Sequence, residues 1–283
     1  MGFIEGVDMH ISVKKADGSK QVFDKDKIVR TCLRKGVPRD VAEQIANKIE
    51  IRIYDGIETF KILQMIFRMI SRHKPHLKHL TDLRRGLALL KPKPDFELYI
   101  QTLLKEHGYS VTPNQIIKGR CGEHEVDAIA KYKGITYIVE VKHHFNFHTP
   151  TGLDESRIAR ALLEDITEGQ MYGMNTIHID KAMIICNTKF SEHAKRYGHC
   201  RGIIQIGWSS PPERSLQDLI EEKKLYPITC LKGLKRDTKE KMVDGGIVVL
   251  KNLIEKDPEE LREETGMTSE TAATIIQQAK MCF

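Results

Sequence analysis

The sequence predicts an α/β core with a mixed central sheet, flanked by a mostly helical N-terminal unit and an all-helical C-terminal unit. The stretch GEHEVDAIAKYKGITYIVEVK alternates apolar and polar residues along two runs joined at Lys133-Gly134, which indicates a β-hairpin. Amphipathic helical patterns precede and follow this hairpin, and the apolar run KAMIICNT adds a buried strand. Glycine-centred pairs of helical patterns occupy the C-terminal end. These observations predict the order of the elements.

Composition and charge indicate a class of protein. The chain has 283 residues, enough for about two or three domains, and its formal net charge is +6. Basic residues concentrate in runs such as KPKP and KGLKRDTKEK, which favours a polyanionic partner. The six cysteines form no CxxC pair, so a zinc site is not expected. A signal-peptide pattern and a long apolar run are both missing, so we expect a cytoplasmic protein without a membrane segment.

Residues 1–92 are expected to form a small separate domain. ISVKKADGSKQVF turns at Asp17-Gly18, and amphipathic helical patterns follow it. Basic side chains beside a tight glycine turn can hold a triphosphate. No GxxxxGK[ST] motif occurs in the chain, which argues against an ATP-driven motor.

The motif VKKADG, followed by Phe23 and Lys27-Ile28, resembles the ATP-cone, a regulatory nucleotide-binding domain. The resemblance implies that this unit binds ATP or dATP and regulates activity allosterically. Ala16 stands where many members have Arg, so one phosphate contact is expected to be missing. The alternative is a helical packing domain whose Lys residues are merely exposed. The implied nucleotide contacts are Val13, Lys14, Lys15, Lys27 and Thr59.

The predicted hairpin brings three charged residues to one edge of the sheet. Glu140 and Lys142 point the same way because side chains alternate with period two, and Asp127 near the end of the preceding strand lies beside Glu140. Paired carboxylates repel each other, and a hard divalent cation relieves the repulsion. The alternative is a solvated ladder of charges on the surface of these strands.

This pattern, with the helix DFELYIQTLLKEHGYSV before it and a helix–strand–helix–strand order after it, resembles the PD-(D/E)xK nuclease superfamily. The match is to the Mrr-type restriction endonuclease group and covers residues 95–210. It implies a restriction endonuclease-like α/β/α core that binds one or two Mg²⁺ or Mn²⁺ ions. Asp127 and Glu140 would be the metal ligands, with the Val141 carbonyl as a further oxygen ligand.

The same resemblance implies roles for three more side chains. Lys142 would orient or deprotonate the attacking water, or stabilise the developing negative charge, and the sequence does not separate these roles. Glu97 falls where the family has a first acidic residue, and Gln170 lies on a later helix at the position of a polar site residue. The alternatives are a solvated helix acid for Glu97 and an ordinary polar helix residue for Gln170.

Residues 211–228, with two prolines and a charged helical pattern, are expected to connect the core to a C-terminal unit at residues 229–283. There LKGL and ETGM each precede a helical pattern, which resembles a tandem helix-hairpin-helix domain. Such hairpins offer backbone N–H groups that bind phosphate without reading base sequence. Lys235 and Thr268 stand where many members have a second glycine. The alternative is a protein-interaction module. The expected DNA contacts are Lys232, Gly233, Lys235 and Gly266.

The sequence therefore predicts a metal-dependent DNA endonuclease that ATP or dATP regulates. Because one active site cuts one strand, we expect a homodimer. Two alternatives remain: a non-catalytic, nucleotide-responsive DNA-binding regulator, and a nuclease of the same fold that acts on RNA or on branched junctions. The DNA structure that is cut and the direction of the nucleotide effect are left open.

Overall fold

The computed structural model describes residues 11–16, 18–73 and 81–283. The chain divides into two compact units, Met1–Lys78 and His79–Phe283. The described elements of the first unit are β1 (Ser12–Lys14), β2 (Lys20–Val22), α1 (Lys25–Arg34), α2 (Arg39–Glu50), β3 (Ile57–Glu58) and α3 (Thr59–His73).

A three-stranded sheet with the order β2-β1-β3 lies in the first unit. β1 is antiparallel to β2, as the hairpin pattern predicts, and parallel to β3. Asp17 of the predicted turn lies outside the described residues, and Gly18 has a φ of +82°, which favours glycine. The Asp24 carboxylate caps α1 by accepting hydrogen bonds from the backbone N–H groups of Asp26 and Lys27. Local sequence thus explains both the turn and the start of the first helix.

The second unit contains α4 (Leu83–Ala88), a short helical segment (Pro92–Phe96), α5 (Glu97–Glu106), β4 (Ser110–Lys118), β5 (Glu123–Tyr132), β6 (Ile135–Lys142), α6 (Leu153–Met171), β7 (Lys181–Cys186), α7 (Glu192–Arg201), β8 (Ile204–Ile206), α8 (Leu216–Lys223), a turn of 3-10 helix (Ile228–Cys230), α9 (Arg236–Asp244), α10 (Leu250–Ile254), α11 (Pro258–Thr265) and α12 (Ser269–Lys280).

The centre of the second unit is a mixed five-stranded sheet with the order β4-β5-β6-β7-β8. The pairs β4–β5 and β5–β6 are antiparallel, whereas β6–β7 and β7–β8 are parallel. Val139 of β6 packs in one core with Tyr99 of α5, and Ile138 packs on the other face with Ile166 of α6. Each fully buried side chain of this size contributes roughly 1.5–3 kcal/mol. The predicted mixed α/β fold is confirmed, with helices on both faces of the sheet.

The N-terminal unit ends earlier than the sequence indicated. The expected boundary lay at residue 92, but the units divide between Lys78 and His79. Leu83, Leu87 and Leu90, in and just after α4, are buried in the core of the second unit. Because these leucines recur at helical spacing, they lie on one face of this stretch, and that face packs against the core of the second unit. Residues 83–90 therefore belong to the second unit.

The expected connector at residues 211–228 is part of the same core. Leu216 and Ile220 of α8 are fully buried, and the hydroxyl of Tyr99 in α5 donates a 2.8 Å hydrogen bond to the carbonyl of Leu225. Buried residues of α10, α11 and α12 belong to this core too. The sheet and the C-terminal helices therefore share one continuous apolar core.

In the part of the chain that the structure describes, no helix combines the length and the apolar character that crossing a bilayer requires.

Candidate active site

Adjacent strands place Asp127 and Glu140 side by side. Ala128 of β5 pairs with Val139 of β6 in antiparallel register, so Asp127, one residue before Ala128, lies opposite Glu140, one residue after Val139. Asp127 Oδ2 accepts a 2.7 Å hydrogen bond from the backbone N–H of Val141. Both carboxylates are buried, at 8% and 7% exposure. The structure thus brings together the two acids that the hairpin pattern predicts.

Glu140 has one free acceptor in a buried setting. Its Oε2 lies 3.2 Å from the Lys142 Nζ, whereas its buried Oε1 has no hydrogen-bond partner. Burial raises the pKa of Glu140, the Lys142 charge opposes that rise, and the Asp127 charge adds to it. An unpartnered buried carboxylate oxygen is costly unless a cation or a donor reaches it.

Lys142 lies between two carboxylates from different elements. Its Nζ is 3.2 Å from Glu140 and 3.4 Å from Glu155, which lies in the first turn of α6. Burial alone would lower the pKa of Lys142, but the charges of Glu140 and Glu155 outweigh it and raise that pKa. Sequence reasoning missed Glu155, although an acidic residue in the first turn of the helix after the hairpin is a usable signal.

Glu97 begins α5 and lies against Asp127. Burial, together with the Asp127 charge and a hydrogen bond to it, raises the pKa of Glu97 to about 7. Lys93 contacts this pair from outside, with its Nζ 3.2 Å from Glu97 and 3.6 Å from Asp127. Sequence reasoning treated KPKP only as a basic run and missed Lys93 as a site residue.

Gln170 does not lie at this site. It stands fifteen residues after Glu155 in α6, which is about 22 Å along a helix axis. The buried glutamine beside the carboxylates is Gln101, whose Nε2 donates a 3.2 Å hydrogen bond to the Asp127 carbonyl. Gln101 follows Glu97 by one helical turn on the buried side of α5, so a polar residue on an apolar helix face was the available signal.

The donor set at this site suits a hard divalent cation. Asp127 and Glu140 offer buried carboxylate oxygens, the ligand type that Mg²⁺ and Mn²⁺ prefer, and one of these oxygens is unpartnered. Among the described residues, no three His, Cys, Asp or Glu side chains converge as ligands of one ion. The residues present fit a metal held by this pair, to which the Val141 carbonyl was expected to add an oxygen.

In the N-terminal unit, a cavity of about 200 Å³ gathers part of the expected nucleotide contacts. Val13, Lys27 and Thr59 line it, whereas Lys14 and Lys15 do not. Phe23 and Ile28 supply apolar lining, as the sequence indicated. The cavity therefore combines an apolar floor with a basic and a hydroxyl side chain.

The expected DNA contacts lie on the surface of the second unit. Lys232, Gly233, Lys235 and Gly266 are all exposed. Gly233 has a φ of +80° and precedes α9, and Gly266 has a φ of +61° and precedes α12. Both glycines adopt the left-handed conformation that a tight hairpin before a helix requires.

The mixed sheet, the helices on both of its faces and the adjacent acids on β5 and β6 fit a restriction endonuclease-like core. The family model described as Restriction endonuclease (Mrr_cat) matches residues 91–206. Such a domain implies a nuclease, a hydrolase that acts on DNA. This match confirms the Mrr-type core that the motifs predicted.

The chain belongs to the family of an uncharacterized Archaeoglobus fulgidus protein. The two are 36% identical over 178 residues, which cover 63% of this chain and 96% of the relative. A second uncharacterized protein of that organism is 42% identical over 40 residues, covering 14% of this chain and 85% of the relative. The crystal structure of the protein of unknown function AF1548 matches with a TM-score of 0.56 and 35% identity, covering 65% of this chain and 94% of that one.

The C-terminal helices match a family model of their own. The model described as AF1548-like, C-terminal, covers residues 226–282. This range overlaps residues 229–283, for which a helix-hairpin-helix domain was expected, and that assignment stays a prediction.

Proposed function

We propose that the protein is a metal-dependent endonuclease that hydrolyses DNA phosphodiester bonds. The observation that carries the proposal is the buried Asp127–Glu140 pair, with an unpartnered Glu140 oxygen and the Lys142 ammonium beside it. A divalent cation bound there would satisfy that oxygen and offset the repulsion between the two acids. The restriction endonuclease domain supports DNA as the substrate.

Asp127 and Glu140 would hold the metal ion, which when bound supplies Lewis-acid activation of the scissile phosphate. The raised pKa of Lys142 keeps its ammonium protonated. Its Nζ would donate hydrogen bonds to phosphate oxygens and stabilise the negative charge that develops on them. Glu97, with a pKa of about 7, holds or releases a proton beside Asp127 near neutral pH.

A cleavage assay with linear, supercoiled and four-way-junction DNA, and with RNA, tests this function in Mg²⁺ or Mn²⁺. Asp127→Asn and Lys142→Met should each lower kcat by at least about a hundredfold while leaving the circular dichroism spectrum unchanged. Lys131→Met, which removes an exposed lysine from β5, is the matched control and should cleave at the wild-type rate. Wild-type rates in both site variants would contradict the proposal. DNA binding without any cleavage would favour a nucleotide-responsive regulator.

We also propose that the C-terminal helices bind the DNA backbone in the manner of helix-hairpin-helix units. The exposed left-handed Gly233 and Gly266, each followed by a helix, support this. Lys235→Gln should weaken binding equally for all sequences and reduce the salt slope of log Kd by about 1. Lys280→Gln, at the exposed end of α12, should change neither. Equal salt slopes in wild type and Lys235→Gln would favour a protein-interaction role.

For the N-terminal unit we propose ATP or dATP binding as in ATP-cones. The cavity lined by Val13, Lys27 and Thr59 supports this. Millimolar ATP should raise the melting temperature of the full chain by mass action, and Lys27→Gln should reduce the rise. Lys48→Gln, on an exposed position of α2, should leave it intact. An unchanged melting temperature of the wild type in ATP would contradict nucleotide binding.

We further propose that the protein acts as a homodimer, since cutting both strands needs two active sites. Sedimentation velocity on the full chain with and without duplex DNA tests this. A monomer that cuts both strands in one binding event would contradict it.

A further inference from the structure

Lys93 places an ammonium inside a cluster of three carboxylates at the edge of the active site. Its Nζ donates a 3.2 Å hydrogen bond to Glu125 Oε1 and lies 3.2 Å from Glu97 Oε1. The same Nζ is 3.6 Å from Asp127 Oδ1. Asp127 thus faces Lys93 through Oδ1, while its Oδ2 accepts from the Val141 N–H.

The segment that carries Lys93 is fastened to α9 on both sides of that residue. Asp95 Oδ2 lies 3.2 Å from the Lys239 Nζ and accepts a 3.1 Å hydrogen bond from the backbone N–H of Lys91. Lys91 Nζ in turn lies 2.6 Å from Glu240 Oε1. Although the Lys93 side chain is 59% exposed, its backbone is therefore held in place from the C-terminal helices.

The position of this ammonium has an electrostatic consequence. Glu97, Glu125 and Asp127 would repel one another without a cation between them. A lysine side chain carries its charge at neutral pH. The Lys93 ammonium therefore offsets negative charge on the Glu97 side of Asp127.

Resting on the metal-dependent nuclease function proposed above, we propose that the Lys93 ammonium is a tethered cation of the active site. It occupies the Glu97 side of Asp127, so the chain binds one divalent ion, at Asp127 and Glu140, and not two. Lys93 is a positioning residue in this arrangement, because it acts through the charges of Glu97 and Asp127.

Calorimetric titration of the full chain with Mn²⁺, without DNA, tests this inference. Wild type should bind one ion per chain. Lys93→Met keeps the length of the side chain but removes its charge, so it should bind a second ion or bind the first on the order of tenfold more tightly. Lys93→Arg, which restores the charge, should behave as wild type, and Lys131→Met controls for the loss of one exposed lysine.

Two results would overturn the inference: two ions bound by the wild type, or the same stoichiometry and affinity in wild type and Lys93→Met. Asp127→Asn should abolish the heat of binding, which shows that the signal comes from this site. A wild-type chain that neither binds Mn²⁺ nor cleaves DNA would instead contradict the nuclease function. If the wild type binds one ion and cleaves DNA, and Lys93→Met changes neither the stoichiometry nor the affinity for Mn²⁺, only the proposed role of Lys93 is contradicted.

Discussion

Replacing Lys239 with Met removes the cation from a buried ion pair that joins α9 to the segment before α5. The side chains of Asp95 and Lys239 are 4% and 15% exposed, and Lys239 also donates a 3.1 Å hydrogen bond to the Leu89 carbonyl. The variant leaves the Asp95 carboxylate buried without its cation. Removing one partner of a buried pair costs about 3–5 kcal/mol. Because the backbone N–H of Lys91 still donates to Asp95, we expect about 3 kcal/mol.

Urea denaturation followed by circular dichroism at pH 7 measures this loss. In a melting experiment, about 3 kcal/mol corresponds to roughly 6–12 °C for a unit of this size. Lys251→Met is the matched control, because it breaks the 2.8 Å ion pair with Glu106, in which the side chains are 37% and 36% exposed. Such a surface pair contributes about 0–1 kcal/mol. If the two variants lose the same free energy of unfolding, the buried pair is not the stabilising contact that its burial indicates.

Three further outcomes follow from the structure. The pKa of Glu97 is raised to about 7, so ionisation of this carboxyl is unfavourable in the folded protein. The free energy of unfolding therefore falls as the pH rises from the pKa of Glu97 in the unfolded chain to its pKa in the folded protein. Glu97→Gln should therefore melt higher than wild type at pH 8, and this gain should shrink toward pH 5. Glu155→Gln removes one of the two carboxylates beside Lys142, and initial rates should show kcat lowered on the order of tenfold with KM little changed. Gly169→Ala would place its Cβ 2.7 Å from the carbonyl carbon of Gly119, so urea unfolding should show a loss of about 1–3 kcal/mol despite the better helix propensity of alanine.

The hairpin could be predicted from the sequence because its signals are local. Period-two alternation places Glu140 and Lys142 on one face, and the short turn at Lys133-Gly134 fixes the register that brings Asp127 opposite Glu140. The mixed sheet followed from the order of strands and helices around it. These features depend on neighbouring residues, so a single sequence was sufficient.

Features that depend on distant contacts were missed. Gln170 was predicted as a site residue because it lies on α6, the helix after the hairpin. It lies near the far end of that helix, away from the site, and Gln101 contacts Asp127 instead. Lys93 lies at the site on a segment that makes ion pairs with α9, far along the chain. The stretch at residues 211–228 has prolines and charges, yet its Leu216 is fully buried in the core of the second unit. No local pattern distinguishes such a stretch from a solvent-exposed connector.

The apolar core shared by the sheet and the C-terminal helices means that this part of the chain should unfold in a single cooperative step. Leu250, Leu261 and Ile276 pack in the same core as Val139 of the central sheet. A fragment cut after residue 206, where the restriction endonuclease match ends, would expose to water the apolar residues that pack against the C-terminal helices. Such a fragment is expected to aggregate, so the nuclease is best produced and assayed with its C-terminal helices attached.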